Sequence, residues 1–438
     1  MTDFDATRRG FLQATAGAAL LGAVQPATAQ SEEPPVTVGV IGTGARGCDL
    51  IRALTTIPSG RVVAVCDDYG PHLERGWQYA GPLARTFDDY RRMIEDAKPQ
   101  AIVVATPLHT HAEIATAAVE SGAAVFCEKL LCYSLEQARK LADLVAQRQT
   151  VFQVGLQKRA NAIYRQAAAM VQTGMLGRIT AIKVQWNRSS DWRRPVPVPP
   201  GRADFADLDR RLNWRMYRDR SRGLLAELGS HQLDIASWVL GTHPQRVIGT
   251  GGIDYWRDGR EVCDNVHCIY EYQLRPPAVR RNAPPLPPGV DAEPYTVRVH
   301  CSAVQNNAYE GASELILGTQ ATLFLSQKKG LLFREQVPEE IPWARQAEQN
   351  AALVASGKTL KLSNDPWAHR GPPFEIDAEG DDTRDQLVSF LDHVRAGDRK
   401  TLCTVRDGLD NTATVLMGCE AIDTQTAATW PLPDAVQG

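Results

Sequence analysis

Cysteine is sparse in this chain: nine residues among 438, an odd number with no C-x-x-C pair, which excludes a disulfide scaffold and the common redox and zinc-ribbon motifs. Neither sign of charge dominates. Lys plus Arg total 48 against 51 Asp plus Glu, a formal charge of −3, so no general electrostatic attraction to nucleic acid or anionic membrane is expected. Glycine (34) and proline (27) stand at ordinary levels, which excludes collagen-like and low-complexity chains. No internal repeat is visible, and no stretch reaches the roughly 18 apolar residues of a membrane span. With 43% hydrophobic and 23% charged residues, what remains is a globular protein of two or three domains handling a small molecule.

The first residues read as an address. Thr7-Arg8-Arg9-Gly10-Phe11-Leu12-Gln13 is followed by a mild Ala/Gly/Leu run and by Pro26-Ala27-Thr28-Ala29, a small-x-small cleavage site. Segment 1–29 resembles a bacterial twin-arginine signal. That resemblance implies export of the folded protein through the twin-arginine machinery, often with cofactor bound, to the periplasm or beyond, and no membrane insertion after processing. The thiols fit: Cys66, Cys127 and Cys419 lie in apolar stretches as reduced core residues, and Cys263 and Cys268, five apart, are poorly placed to bridge.

From residue 34 to 157 the chain reads as a dinucleotide-binding domain. A short apolar strand, 36–41, runs into Gly42-Thr43-Gly44-Ala45-Arg46-Gly47 and a helix. Glycines there permit a tight turn and close backbone approach to a pyrophosphate at the helix N-terminus. A second strand ends in Asp67, twenty residues past Gly47, where a carboxylate accepts hydrogen bonds from the adenosine ribose. Asp68 follows with no adjacent basic residue, so repulsion of a 2′-phosphate favours NAD over NADP. Further apolar strands at 101–105, 123–127 and 151–154 alternate with helices, which indicates a parallel sheet covered on both faces. Ligands of such sheets lie at the carboxyl ends of the strands. Thr106, Pro107 and His111, then Glu128 and Lys129, then Gln157 and Arg159 stand at those ends.

The glycine motif, the A-T-P-x-x-x-H segment from Ala105 to His111, the Glu128-Lys129 pair and the downstream run Gly223-Leu-Leu-Ala-Glu227-Leu-Gly-Ser-His231-Gln-Leu-Asp234 together resemble the Gfo/Idh/MocA family. The resemblance implies an α/β protein: a Rossmann domain, then an α/β domain with an open, mostly antiparallel sheet, here 158–438. It implies a homo-oligomer, a dimer or tetramer, acting on sugars, polyols or their derivatives. Carried over residue by residue, Lys129 would polarise the reacting oxygen and His231 would be the general base in oxidation. Glu227 stands where the family generally has Asp, and is expected to orient His231 or contact another hydroxyl. Leu130 replaces the proline of the family's Glu-Lys-Pro. Gly42, Gly44, Arg46, Gly47, Asp67, Thr106, Pro107, His111 and Glu128 are the expected cofactor contacts.

On a helix, Glu227, His231 and Asp234 share one face, and a buried histidine flanked by carboxylates has its tautomer fixed by one of them. Segment 187–222 is rich in arginine and carries Trp192, Trp214 and Tyr217, aromatic faces that suit the C–H face of a sugar ring or a subunit-contact arm. Its aspartates argue against a nucleic-acid stripe. Gln157, Arg159, Trp214, Tyr217 and Asp234 are the expected substrate contacts, and no metal site is expected. The second domain should hold strands near 179–186, 247–253, 266–272, 295–301, 312–317 and 321–326. A proline-rich insertion follows 275, and two helices near 383–396 and 405–423 close the chain.

Three functions fit these features. One is an NAD-dependent oxidoreductase acting on CH–OH groups. Free nicotinamide is scarce outside the inner membrane, so the cofactor is expected to be tightly held. The second is an NAD-dependent glycosidase or lyase that uses transient oxidation and elimination with no net redox change. The third, a cofactor-binding sensor without turnover, is disfavoured because Lys129 and His231 are both present.

Overall fold

The computed structural model describes residues 33–275, 294–335, 372–376, 378 and 380–431. The expected signal segment and most of the proline-rich insertion lie outside the described residues. Strand β1 (Val36–Ile41) is buried along nearly its whole length because its β-branched residues meet helices on both sides. Then come α1 (Ala45–Thr55), β2 (Gly60–Cys66), α2 (Gly70–Ala80), β3 (Arg85–Phe87), α3 (Tyr90–Ala97), β4 (Ala101–Val104), α4 (His111–Glu120), β5 (Ala124–Cys127), α5 (Leu135–Arg148) and β6 (Phe152–Val154). The strands form a parallel sheet in the order β3-β2-β1-β4-β5-β6. The order reverses between β1 and β4, and the crevice at that switch point is where an open α/β sheet binds its ligand. Asp89 caps α3 by accepting from Arg91 and Arg92 N–H, and Ser134 with Gln137 forms a capping box on α5.

The second half comprises α6 (Ala162–Gln172), β7 (Ile179–Asn187), α7 (Phe205–Leu212), a π-helical turn (Leu225–Gly229) continuous with α8 (Ser230–Leu240), β8 (Arg246–Gly252), β9 (Asn265–Leu274), β10 (Tyr295–Val304), β11 (Ala312–Gly318), β12 (Ala321–Ser326), β13 (Lys329–Arg334), β14 (Phe374–Ile376), α9 (Asp382–Ala396), α10 (Val405–Thr424) and β15 (Ala428–Thr429). Nine strands pair in the order β14-β13-β12-β11-β7-β10-β9-β8-β15, all antiparallel except β7 with β10. Alternating burial along β9, β10 and β12 shows one covered face, as expected. The covered face packs Tyr164, Leu225, Leu233, Tyr270, Val299 and Leu323 into one core.

Helix α9 returns to the first sheet. Leu387, Phe390 and Leu391 bury themselves with Val36, Leu50 and Phe126, and the Phe126 and Phe390 rings lie edge to face at 5.7 Å. The segment 158–438, expected to be the second domain, therefore includes a helix whose apolar face belongs to the first. All nine cysteines are free thiols. Among the described residues no helix is long and apolar enough to cross a membrane, and no cluster of His, Cys, Asp and Glu could hold a metal.

Candidate functional site

The nucleotide cradle is built from backbone. Gly42 has φ +90°, and a Cβ there would lie 2.6 Å from the Ala105 carbonyl carbon; one on Gly47 would lie 1.8 Å from the Gly42 oxygen. At Gly44 the nearest heavy atom to such a Cβ is on His72, 3.9 Å away, so space opens in front of α1. No side chain caps α1 and its first turn has no acidic residue, so its leading N–H groups remain available to an anion. Asp67, at the end of β2, accepts from Thr43 N–H at 2.7 Å through Oδ2 and from Tyr69 N–H at 2.9 Å through Oδ1. The Thr43 hydroxyl also donates to Oδ2 at 3.4 Å, and Oδ1 keeps a second lone pair for a ribose hydroxyl. These groups fit a dinucleotide.

Several expected cofactor contacts turn out to hold the cradle together. Arg46 donates to Glu128 at 2.8 Å, to Gln157 at 2.9 Å and to Thr383 at 3.1 Å, and Gln157 donates onward to Asp382 at 3.0 Å. This network ties α1 to the end of β5 and to α9 and gives Gln157, expected as a substrate contact, a scaffold role. His111 is 2% exposed, with Nδ1 2.9 Å from the Leu130 carbonyl and Nε2 2.9 Å from the Thr106 carbonyl. Burial pulls its pKa down. A neutral ring has one N–H and donates it to one of these two carbonyls, so His111, buried between them, fixes the loop beneath Lys129. Thr106 Oγ1 accepts from Thr110, and the Pro107 carbonyl accepts from the same hydroxyl.

Lys129 follows Glu128 at the carboxyl end of β5, and the Lys129–Leu130 peptide is cis. Its Nζ donates to the Glu227 backbone carbonyl at 2.8 Å, which brings the ammonium to the π-helical turn just before His231. Burial lowers the Lys129 pKa against the opposing pull of Glu227 and Glu128. His231 is 7% exposed and its ring lies 5.3 Å from that of Trp186. Burial first, then the charges of Lys129, Lys158 and Arg46, push its pKa well below 6.5, so the ring is neutral at physiological pH. Its Nδ1 is buried without a hydrogen-bond partner among the described residues.

The expected carboxylate stripe around His231 is corrected. The Glu227 carboxylate accepts from Arg215 Nε at 2.7 Å, and Arg215 is the main reason that its pKa is lowered despite burial. Asp234 is held by Arg159 at 2.8 Å, and Arg159 also reaches Asp407 at 3.0 Å. This buried bridge joins α8 to α10 and gives Arg159 and Asp234 a scaffold role. Neither carboxylate orients His231. Tyr217 donates to Asp209, and burial with that bond pushes its pKa up to about 12, so its hydroxyl is engaged within the excursion. Trp214 lies under Arg215, whose guanidinium is 4.3 Å from the ring centre.

Other groups had no local signature. Lys158 is 6% exposed and donates to Glu314 at 2.6 Å, Tyr164 at 2.9 Å and Gln232 at 3.0 Å, so all three ammonium protons are taken. Gln232 also donates to the Gln185 carbonyl at 2.8 Å, which pins the residue after His231 to β7. Arg211 of α7 pairs with Asp68 at 2.6 Å. The expectation of no cation beside the two aspartates holds along the chain but not in space. The alternation of β7 could have flagged Trp186; nothing local could have flagged Lys158 or Arg211.

Two family models match the chain: an oxidoreductase family with an NAD-binding Rossmann fold over residues 36–156, and the GFO/IDH/MocA C-terminal domain over 164–275. Inositol 2-dehydrogenase 2 of Saccharopolyspora erythraea is 32% identical over 208 residues, 47% of this chain and 54% of that one. Levoglucosan dehydrogenase of Pseudarthrobacter phenanthrenivorans is 28% identical over 195 residues, 40% of this chain and 46% of the other. The chain thus matches about half the length of these curated relatives. Among solved structures, a levoglucosan dehydrogenase in complex with NADH and levoglucosan superposes with a TM-score of 0.66 at 16% identity, covering 91% of this chain and 100% of the other. At that identity the likeness concerns the fold.

Proposed function

This chain belongs to the GFO/IDH/MocA oxidoreductase family, and from that membership we propose that it oxidises a secondary alcohol of a sugar, polyol or sugar derivative. The observation that carries the reading is the Lys129 hydrogen bond to the Glu227 carbonyl, which brings the ammonium to the turn just before His231, a histidine whose pKa is held well down. NAD, bound along Gly42, Gly44, Gly47 and Asp67, supplies the two-electron acceptor. Lys129 donates a hydrogen bond to the reacting hydroxyl and favours its alkoxide character. His231 accepts the hydroxyl proton, and in the reverse direction returns it to the carbonyl oxygen. Relatives named as inositol and levoglucosan dehydrogenases support a cyclic polyhydroxy substrate. Redox-neutral elimination needs a further base for the neighbouring C–H, and the nearby Glu227 carboxylate is engaged by Arg215.

The Arg211–Asp68 pair, reaching from α7 to the loop after β2, supports a cofactor that is held between turnovers. The twin-arginine pair Arg8-Arg9 supports export, and the open face of the nine-stranded sheet supports a homo-oligomer. Purified protein given NAD and a panel of inositols and sugars should generate absorbance at 340 nm. Cleavage of aryl glycosides without NADH would favour elimination, and failure of every polyhydroxy compound to yield NADH would overturn the dehydrogenase reading. Dinucleotide that elutes with the protein in gel filtration is the expected sign of a held cofactor.

A further inference from the structure

Strand β7 carries Trp186 beside His231, and the extended chain continues past its end: Arg188 N–H donates to the Val304 carbonyl at 2.9 Å. Side chains two apart on a strand share a face, so Arg188 projects on the side of Trp186 and His231. Its half-buried guanidinium lies 5.9 Å from the Trp192 ring centre and has no hydrogen-bond acceptor or ion-pair partner among the described residues. Arg215 stands nearby and uses only Nε, on Glu227, so its two terminal nitrogens are also open. Arg194, held through its backbone by Asn213, approaches the same place, and burial followed by Arg215 and Arg194 depresses the Arg188 pKa. With Lys129 on the Glu227 carbonyl, four cations gather in this region; Glu227 pairs with Arg215, Glu227 and Glu128 answer Lys129, and Arg188 has no carboxylate partner among the described residues.

Gathering guanidinium groups without counter-charge is unfavourable unless a ligand supplies the charge, and the planar fork of arginine suits an oxyanion. We propose that Arg188 and Arg215 form an oxyanion subsite beside Lys129 and His231, so that the substrate is an acidic sugar derivative bearing a carboxylate or a phosphate. The proposal rests on the dehydrogenase reading for the hydroxyl chemistry, but the anion subsite can be tested without turnover.

The experiment measures calorimetric binding of D-glucuronate, D-glucose 6-phosphate, D-glucose and myo-inositol to the NAD-loaded protein, alongside NADH formation from each. At least one acidic probe should bind about tenfold or more tightly than its neutral counterpart, and which one separates carboxylate from phosphate. Arg188→Gln should remove that preference and Arg188→Lys should restore part of it, with the melting temperature unchanged because the side chain has no structural bond. Acidic probes that bind no better than neutral ones, or equally well to Arg188→Gln, overturn the subsite. A partner subunit's carboxylate filling it in an oligomer would give that same result. NADH from neutral polyols alone would leave the dehydrogenase reading standing without the subsite. Arg188-dependent binding of acidic probes with no NADH from any compound would do the reverse.

Discussion

Arg211 and Asp68 form an ion pair of 2.6 Å between α7 and the loop after β2, at the ribose end of the nucleotide cradle. Asp68 is thus both a repulsive group for a 2′-phosphate and the group that occupies the one cation paired to it. Replacing Asp67 and Asp68 by Ser should weaken NAD binding and free Arg211 for a 2′-phosphate, so the NAD to NADP affinity ratio should fall by at least about tenfold. Fluorescence titration with NADH and NADPH reads the ratio. An unchanged ratio would show that neither carboxylate selects the dinucleotide.

Lys129→Ala should lower turnover by about 100-fold or more while the NAD dissociation constant stays within about threefold. The ammonium rests on the Glu227 carbonyl, away from the glycine cradle, so its loss should spare the nucleotide. A fully active variant would refute the assigned role.

The pH profile follows from His231. Burial and neighbouring cations depress its pKa well below 6.5, so the base is already neutral at pH 7 and is lost only as the pH falls through that lowered value. The acid limb of kcat/KM for oxidation should have its midpoint below pH 6.5. A midpoint at or above 6.5 would show that a different group is the base. On the alkaline side Lys129, lowered from 10.5, should lose its proton before an exposed lysine would.

Lys158→Met should destabilise the protein by about 3–5 kcal/mol, because it leaves Glu314, only 1% exposed, as an uncompensated buried charge. The double change Lys158→Met with Glu314→Gln should recover much of that loss in a denaturant titration. Additive losses would mean that the two charges do not act as a pair.

The local pattern of the chain was enough for the parallel sheet, the glycine turn and Asp67 at the end of its strand, because each depends on the residues around it; Lys129 and His231 stood out through the family resemblance. Apolar runs such as 36–41 demand burial on both sides, and a glycine turn between strand and helix has one use at a switch point. Helix α2 had only a weak signal: Leu73, Trp77 and Ala80 form a short, partly buried stripe against the core, and Gly76 is its one fully buried residue. The π-helical turn at Leu225–Gly229 likewise breaks the regular spacing on which a one-face reading of Glu227, His231 and Asp234 relied.

By itself, then, the sequence determined the dinucleotide domain, through periodicity and motif spacing that span a few turns of chain, and its family resemblance picked out Lys129 and His231 as candidates. Tertiary structure decided which charges meet. It gave Glu227 to Arg215, Asp234 to Arg159, Glu314 to Lys158 and Asp68 to Arg211, and it left Arg188 without a counter-charge among the described residues. Ion pairs form across a few ångströms of space between elements far apart in the chain. No local spacing encodes which carboxylate is spent on scaffold and which cation stays open to a ligand.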